Sequence, residues 1–173
     1  VLIDPRKKAL FERLCAEPSL AGWDGLGTVV QAYQKRAPAV VDLVVALARR
    51  TGRRLMVRLV KGAYWDAEIK RAQQDGQDDY PVFTRKPHTD LSYLACARAL
   101  LAAPDAVFPQ FATHNAHTLA AIHEAADPAR WRPGQYEFQC LHGMGEALYE
   151  RVVAPEAAGG LGRPCRIYAP VGT

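Results

Sequence analysis

The stretch LMVRLVKGAYW, residues 55–65, decides how the rest of this chain is read. Leu55, Met56 and Val57 open an apolar run that continues through Leu59 and Val60, with the length and β-branched content of a buried strand. Arg58 stands inside that run, and a buried guanidinium without an anionic or carbonyl partner is costly. Lys61, Gly62, Ala63, Tyr64 and Trp65 then place a cation, a glycine that allows close backbone approach and two aromatics where the strand gives way to a loop. In parallel α/β proteins the carboxyl end of a strand is where ligands bind. A purely structural strand end, its arginine satisfied by a neighbouring carboxylate, accounts for this one segment equally well.

The flanking sequence repeats the pattern. Upstream, helical spacing over residues 5–17 is stopped by Pro18, and a loop carrying Trp23 leads to a short strand over 28–33 that ends in a Gln-Lys-Arg cluster. Pro38 sits in the first turn of a helix running to about Arg50, with Val41, Val44, Val45 and Leu47 inward, and Thr51 and Gly52 stop it. Downstream, residues 66–74 predict a helical turn and 75–79 an acidic loop. Residues 81–86 predict a brief extended piece broken by Pro87, and Thr89 a cap for a helix over 91–101. Residues 106–113 predict a strand in which Pro109 is at odds with a central position, followed by a helix through Glu124 and a loop over 127–134. A strand over 136–142, a helix over 146–153, a loop over 159–164 and a strand over 165–170 complete the alternation.

Five strands separated by helices predict an α/β fold with a parallel sheet and right-handed crossovers, either doubly wound or part of a closed barrel. No GxGxxG or Walker loop follows the first strand, which argues against a Rossmann or P-loop domain. Polar residues recur at each predicted carboxyl end: Gln31, Arg58 with Lys61, Thr113-His114-Asn115, Gln139 with His142, and Tyr168. That convergence points to a barrel, here about five strands of the eight, with its ligand over the carboxyl face.

Composition bounds the rest. A chain of 173 residues, 49% apolar and 23% charged, is expected to form one globular domain with a real core. The net charge is 22 − 18 = +4, with basic residues scattered in pairs between acids, so no nucleic-acid partner is expected from this stretch. No apolar run approaches membrane-spanning length and the first residues are charged, so neither a transmembrane helix nor a signal peptide is expected. Cys15, Cys96, Cys140 and Cys165 form no CxxC pair and read as reduced thiols of a cytoplasmic protein.

Two chemistries compete at the predicted strand ends. His114, His117, Cys140 and His142 raise a metal site, but no carboxylate companion lies nearby in sequence, and no acid is evident to orient a Cys-His nucleophilic pair. The expectation is no metal. The amide, hydroxyl and cationic set Gln31, Arg58, Lys86, Thr113, Asn115 and Gln139 suits a large heteroaromatic, phosphate-bearing ligand, with the chemistry supplied by a cofactor.

The runs VVQAYQKR, RLMVRLVKGAYW, FTRK, LSYLACARALL, PQFATHNAHTLAAI, GQYEFQCLHGMGE and RPCRIYAPVGT resemble the proline dehydrogenase domain of the bacterial bifunctional proline utilization A flavoproteins, from about Leu14 to Thr173. That resemblance implies a distorted (β/α)8 barrel binding FAD. The implied reaction is oxidation of L-proline to Δ1-pyrroline-5-carboxylate by hydride transfer to flavin N5, with the electrons passed to a membrane quinone. Carried over by residue, it implies Arg58 beside flavin N5, Gln31 and Val60 along the ring, Gly62 and Trp65 along the FAD, and Thr84 and Lys86 at its adenosine and phosphate portion. Thr113, His114, Asn115, Gln139 and Cys140 would bind cofactor from the next two strands, and Tyr64, Leu141 and Tyr168 would pack the proline ring against the flavin. Arg58, Tyr64 and Tyr168 are thus the implied catalytic residues. The resemblance further implies a pyrroline-5-carboxylate dehydrogenase domain on the same polypeptide, a cytoplasmic protein peripheral at the inner membrane, and a capacity to form oligomers.

The sequence also departs from the family. The first three barrel strands, with a substrate-pocket lysine and a flavin-site acid, have no counterpart. After Val171-Gly172-Thr173 the family continues into a helix whose paired arginines grip the proline carboxylate, and Pro87-His88 replaces the usual residues. The expectation is therefore strands four to eight of the barrel without its last helix. Two other readings stand beside the enzyme: a half-barrel that binds no flavin, and a His/Cys metal-binding half-barrel.

Overall fold

The computed structural model describes residues 5–126, 131–132 and 134–169. Its five strands are β1 (Gly27–Gln31), β2 (Leu55–Val60), β3 (Val107–Ala112), β4 (Glu137–Leu141) and β5 (Cys165–Tyr168). They form one sheet in the order β1-β2-β3-β4-β5, every neighbouring pair parallel. The helices are α1 (Pro5–Ala16), α2 (Ala37–Thr51), α3 (Trp65–Gln74), α4 (Lys86–Leu101), α5 (Ala116–Ala125) and α6 (Glu146–Val153). A spatial order that follows chain order without reversal, with helices α2, α4 and α5 packed on the same buried layer, is the winding of a partial (β/α) barrel rather than a doubly wound sheet.

The period of two in β2 separates the two sides of the sheet. Leu55, Val57 and Leu59 are fully buried, while Met56, Arg58 and Val60 alternate with them at intermediate exposure. The first set packs with Val30, Val107, Phe111 and Phe138 beneath the buried faces of α2 (Val41, Val44, Leu47), α4 (Tyr93, Cys96, Leu100) and α5 (Leu119, Ile122). Some buried polar groups in this layer find partners, whereas the Ser92 and Tyr136 hydroxyls have none among the described residues. The Tyr93 hydroxyl lies 3.2 Å from Leu59 O and 3.3 Å from Ala112 O, and the Trp131 indole donates to Leu101 O at 2.8 Å. All four cysteines are free thiols, with Cys140 Sγ and Cys165 Sγ 3.6 Å apart on adjacent strands.

Several expectations need correction. β1 ends at Gln31 rather than at Tyr33: Ala32 and Tyr33 lie in a turn, although their amides still donate to Val60 O and Lys61 O. Residues 65–74 form a full helix, not one turn. Pro87 does not break a strand, and Thr89 caps nothing. α4 begins at Lys86 with Pro87 in its first turn, where the missing N–H has no helical partner to lose, and Thr89 is buried inside the helix. The extended piece before it survives only as a Gln34–Val82 antiparallel bridge. Pro109 does lie in the central strand, because pairing with β4 begins only at Gln110. Much of the loop expected over 127–134, and the residues after 169, fall outside the described residues. No described helix is long and apolar enough to cross a membrane.

The two sides of the sheet should respond differently to truncation. Leu59→Ala, in the covered layer, is expected to lower the unfolding free energy by about 2–5 kcal/mol in chemical denaturation. Val29→Ala, on the open side and 54% exposed, should cost under about 1 kcal/mol.

Candidate functional site on the concave face

The uncovered, inward side of the sheet carries the charged and amide side chains. Strand registers align Val29 with Arg58, Arg58 with Gln110 and Gln110 with Glu137, and align Ala112 with Gln139 and Gln139 with Arg166. Because these residues share a face, side chains from neighbouring strands can meet, and Gln110, Gln139 and Arg166 meet on Glu137. The Glu137 carboxylate accepts from Gln110 Nε2 at 2.9 Å and from Gln139 Nε2 at 2.8 Å. Arg166 grips both its oxygens, Nε to Oε1 at 2.8 Å and Nη2 to Oε2 at 3.0 Å. Burial pushes the Glu137 carboxyl up, but the hydrogen bonds from Arg166, Gln139 and Gln110 together with the Arg166 charge outweigh it and hold the group below its ordinary value.

Toward the carboxyl ends, the Arg58 guanidinium stacks on the Tyr168 ring with Cζ 3.9 Å from the centroid, spanning from β2 to β5 across the face. Two polar atoms here are buried without a hydrogen-bond partner: Arg58 Nε and Gln139 Oε1. Six more such atoms occur elsewhere among the described residues, but here a donor and an acceptor lie on the uncovered face, where a ligand or a water can complete the bonding. Leu141 and Tyr168 stand side by side in register at the same end. Gln31 and Val60 pair at the ends of β1 and β2. Thus the structure brings Gln31, Arg58, Val60, Gln139, Leu141 and Tyr168 to one face.

A second group gathers beside it. Gly62, Trp65, Thr84 and Lys86 line one cleft of about 350 Å³ together with Tyr33, Lys61, Phe83 and Thr89. Its wall is fixed by the Trp65 indole donating to Phe83 O at 2.9 Å and by Phe83 N donating to Tyr33 O at 2.8 Å. Gly62 has φ +138°, and a Cβ there would lie 2.5 Å from the Tyr33 ring. Lys61 and Lys86 converge on Asp90, whose carboxyl they hold below its usual value against the opposing effect of burial. Two cations on one carboxylate leave the cleft net positive.

Other predicted residues have different surroundings. Tyr64 precedes α3 with 67% of its surface exposed, and no ring contact joins it to Tyr168 among the described residues. The Cys140 side chain points to the helix-covered layer, since alternation in β4 puts Glu137, Gln139 and Leu141 inward. Asn115 caps α5 by accepting from Thr118 N at 2.9 Å, and Thr113 Oγ1 accepts from Asn115 N at 3.2 Å. His114 Nε2 accepts from Leu141 N at 3.1 Å, tying the ends of β3 and β4 together. His117 and His142 are exposed, and no cluster of three or more metal-ligating side chains exists among the described residues. Sequence reasoning missed Glu137, Gln110, Arg166 and Asp90. For the first, the signal was Glu137 and Gln139 two apart in an otherwise apolar strand.

A family model described as proline dehydrogenase matches residues 5–173. The bifunctional protein PutA of Escherichia coli K12 is 68% identical over 164 residues, spanning 95% of this chain and 12% of the relative, and that of Rhizobium meliloti is 63% identical over 13% of its length. The chain therefore spans about an eighth of these relatives. Among solved structures, a bifunctional proline utilization A protein superposes with a TM-score of 0.86 at 57% identity, covering 96% of this chain and 16% of the other. The proline utilization A of Bdellovibrio bacteriovorus, inactivated by N-propargylglycine, superposes with a TM-score of 0.87 at 36% identity, covering 96% of this chain and 17% of the other.

Two outcomes follow from the site's geometry. Glu137 titrates below its unfolded value of 4.5, so its stabilising contribution is complete above that pH and disappears as pH falls through the lower folded value. The stability gap between wild type and Glu137→Gln should accordingly be constant near neutrality and narrow in acid, as read by denaturation at several pH values. Gly62→Ala should lower stability by about 1–3 kcal/mol by the same measurement, from the left-handed backbone and the Tyr33 clash.

Proposed function

The chain belongs to the proline dehydrogenase family, and from that premise we propose that its concave face forms part of an FAD-dependent site for oxidation of L-proline to Δ1-pyrroline-5-carboxylate. The observation that carries this reading is the pair of buried, unpartnered atoms Arg58 Nε and Gln139 Oε1, a donor and an acceptor on the face that Leu141 and Tyr168 border. A heteroaromatic ring with polar edges matches such a pair. The positive cleft beside it, with its glycine wall at Gly62, matches the phosphate-bearing remainder of a dinucleotide.

FAD, when bound, supplies the two-electron acceptor for the amine oxidation. The residues of this chain do the rest. Arg58 places a permanent positive charge beside the ring, favouring ligand groups that gain electron density, while Gln31 and Val60 border the same edge. Thr84 and Lys86, with Gly62 and Trp65, line the cleft that would hold the adenosine and phosphate portion. Thr113, His114 and Asn115 contribute mainly by fixing the β3 end, His114 through its bond to Leu141 N. Cys140 contributes main chain only. Leu141 and Tyr168 form an apolar and aromatic wall that would exclude water from the proline ring, and Tyr64, exposed ahead of α3, is the further aromatic proposed to face that ring. Transfer of the electrons to a quinone, and a pyrroline-5-carboxylate dehydrogenase domain on the same polypeptide, complete the proposal. The second is supported by the relatives' name, bifunctional, and by their length.

Anaerobic addition of L-proline to the FAD-loaded complete polypeptide should bleach its flavin absorbance, and Arg58→Met should slow bleaching by about a hundredfold or more. Retained flavin that proline leaves unchanged would refute the proposed reaction. Failure to retain flavin at all would favour the half-barrel without cofactor.

A further inference from the structure

Glu137 lies at the base of the concave face, and its carboxylate touches the neighbouring side chains Gln110, Gln139 and Arg166. An ionised carboxylate only accepts hydrogen bonds, so the amide facing it must present its NH2 group. For Gln139 this removes a choice that a free amide keeps. With Nε2 held by Glu137 at 2.8 Å, Oε1 faces the other way, buried and unpartnered. Gln139 is 4% exposed and cannot swing out to water. Arg166, paired in both N–H···O contacts and largely exposed, neutralises the carboxylate and locks its plane. Gln110 takes a third contact with Glu137, with Met56 Sδ 3.9 Å away.

We propose that Glu137 is a positioning residue that fixes the orientation of the Gln139 amide, so that the site presents a hydrogen-bond acceptor and selects a ligand carrying an N–H at that point. This rests on the flavin reading above, and it names the atom selected: an oxidised isoalloxazine has a single ring N–H, at N3. Neither Glu137 nor Arg166 needs to touch the ligand, and the selectivity arises from the carboxylate's inability to donate.

The test compares retention of FAD with retention of its 3-methyl analogue, which lacks that N–H, by fluorescence titration of the complete polypeptide. Wild type should bind the methylated analogue at least about tenfold more weakly, since a buried acceptor is then left unpaired. Glu137→Ala and Glu137→Gln free the amide to turn its NH2 toward the ligand, so the ratio should fall below about threefold in both. The two variants guard against misfolding of either, checked by thermal melting. Wild type indifferent to methylation, or a folded variant that keeps the wild-type ratio, overturns the proposal while leaving flavin binding intact. Wild type that binds neither flavin overturns the flavin reading itself and this proposal with it.

Discussion

A parallel sheet covered on one side only must satisfy its charges on the other, and in this chain that constraint falls on Glu137. Its side chain is nearly solvent-free, and an unpaired carboxylate there would be costly. The bidentate Arg166 contact and the two amides remove that cost, and in doing so they fix three strands to one another through side chains as well as backbone. Replacing such a network piecemeal is harsher than replacing it whole, because each removed partner leaves another stranded. The orphaned atoms of Arg58 and Gln139 are the remainder of that arrangement, polar groups that the protein orients but does not satisfy.

The division of labour between the two sides follows from the period of two. Leu55, Val57 and Leu59 deliver packing energy to the helices, whereas Met56, Arg58 and Val60 are free to carry chemistry. The loops after the strands extend the site sideways. The turn after β1 and the segment before α4 are stitched together by Tyr33 and Phe83, and this builds the cleft that Lys61 and Lys86 make positive. His114 and Asn115 spend their hydrogen bonds on the scaffold, one on β4 and one on α5. Residues at a strand end can therefore have their main physical effect on backbone shape.

Much of this was legible in the sequence. The alternation of apolar runs and helices gave five parallel strands with helices between them, and the polar residues at the strand ends pointed to a barrel and picked out the face that carries the charged and amide side chains. Helix α6 is predicted and observed over the same residues. What stayed hidden depended on partners distant along the chain. Pro87 reads as a breaker until the first turn of α4 is seen to have no bond for it to break. Glu137 reads as a stray acid in a strand until the register brings Arg166 beside Gln139. Cys140 is a cofactor residue by resemblance, and alternation turns its side chain to the covered layer, which leaves its main chain to face the site.

The central claim is that the concave face, and not the helix-covered one, holds the ligand. Flavin content per chain after FAD loading and desalting, compared between Gln139→Leu and Cys140→Ala, tests it most directly because the two residues are adjacent on β4 and face opposite ways. The account predicts that Cys140→Ala keeps its flavin and that Gln139→Leu loses most of it. Equal retention by both, or loss confined to Cys140→Ala, would contradict it.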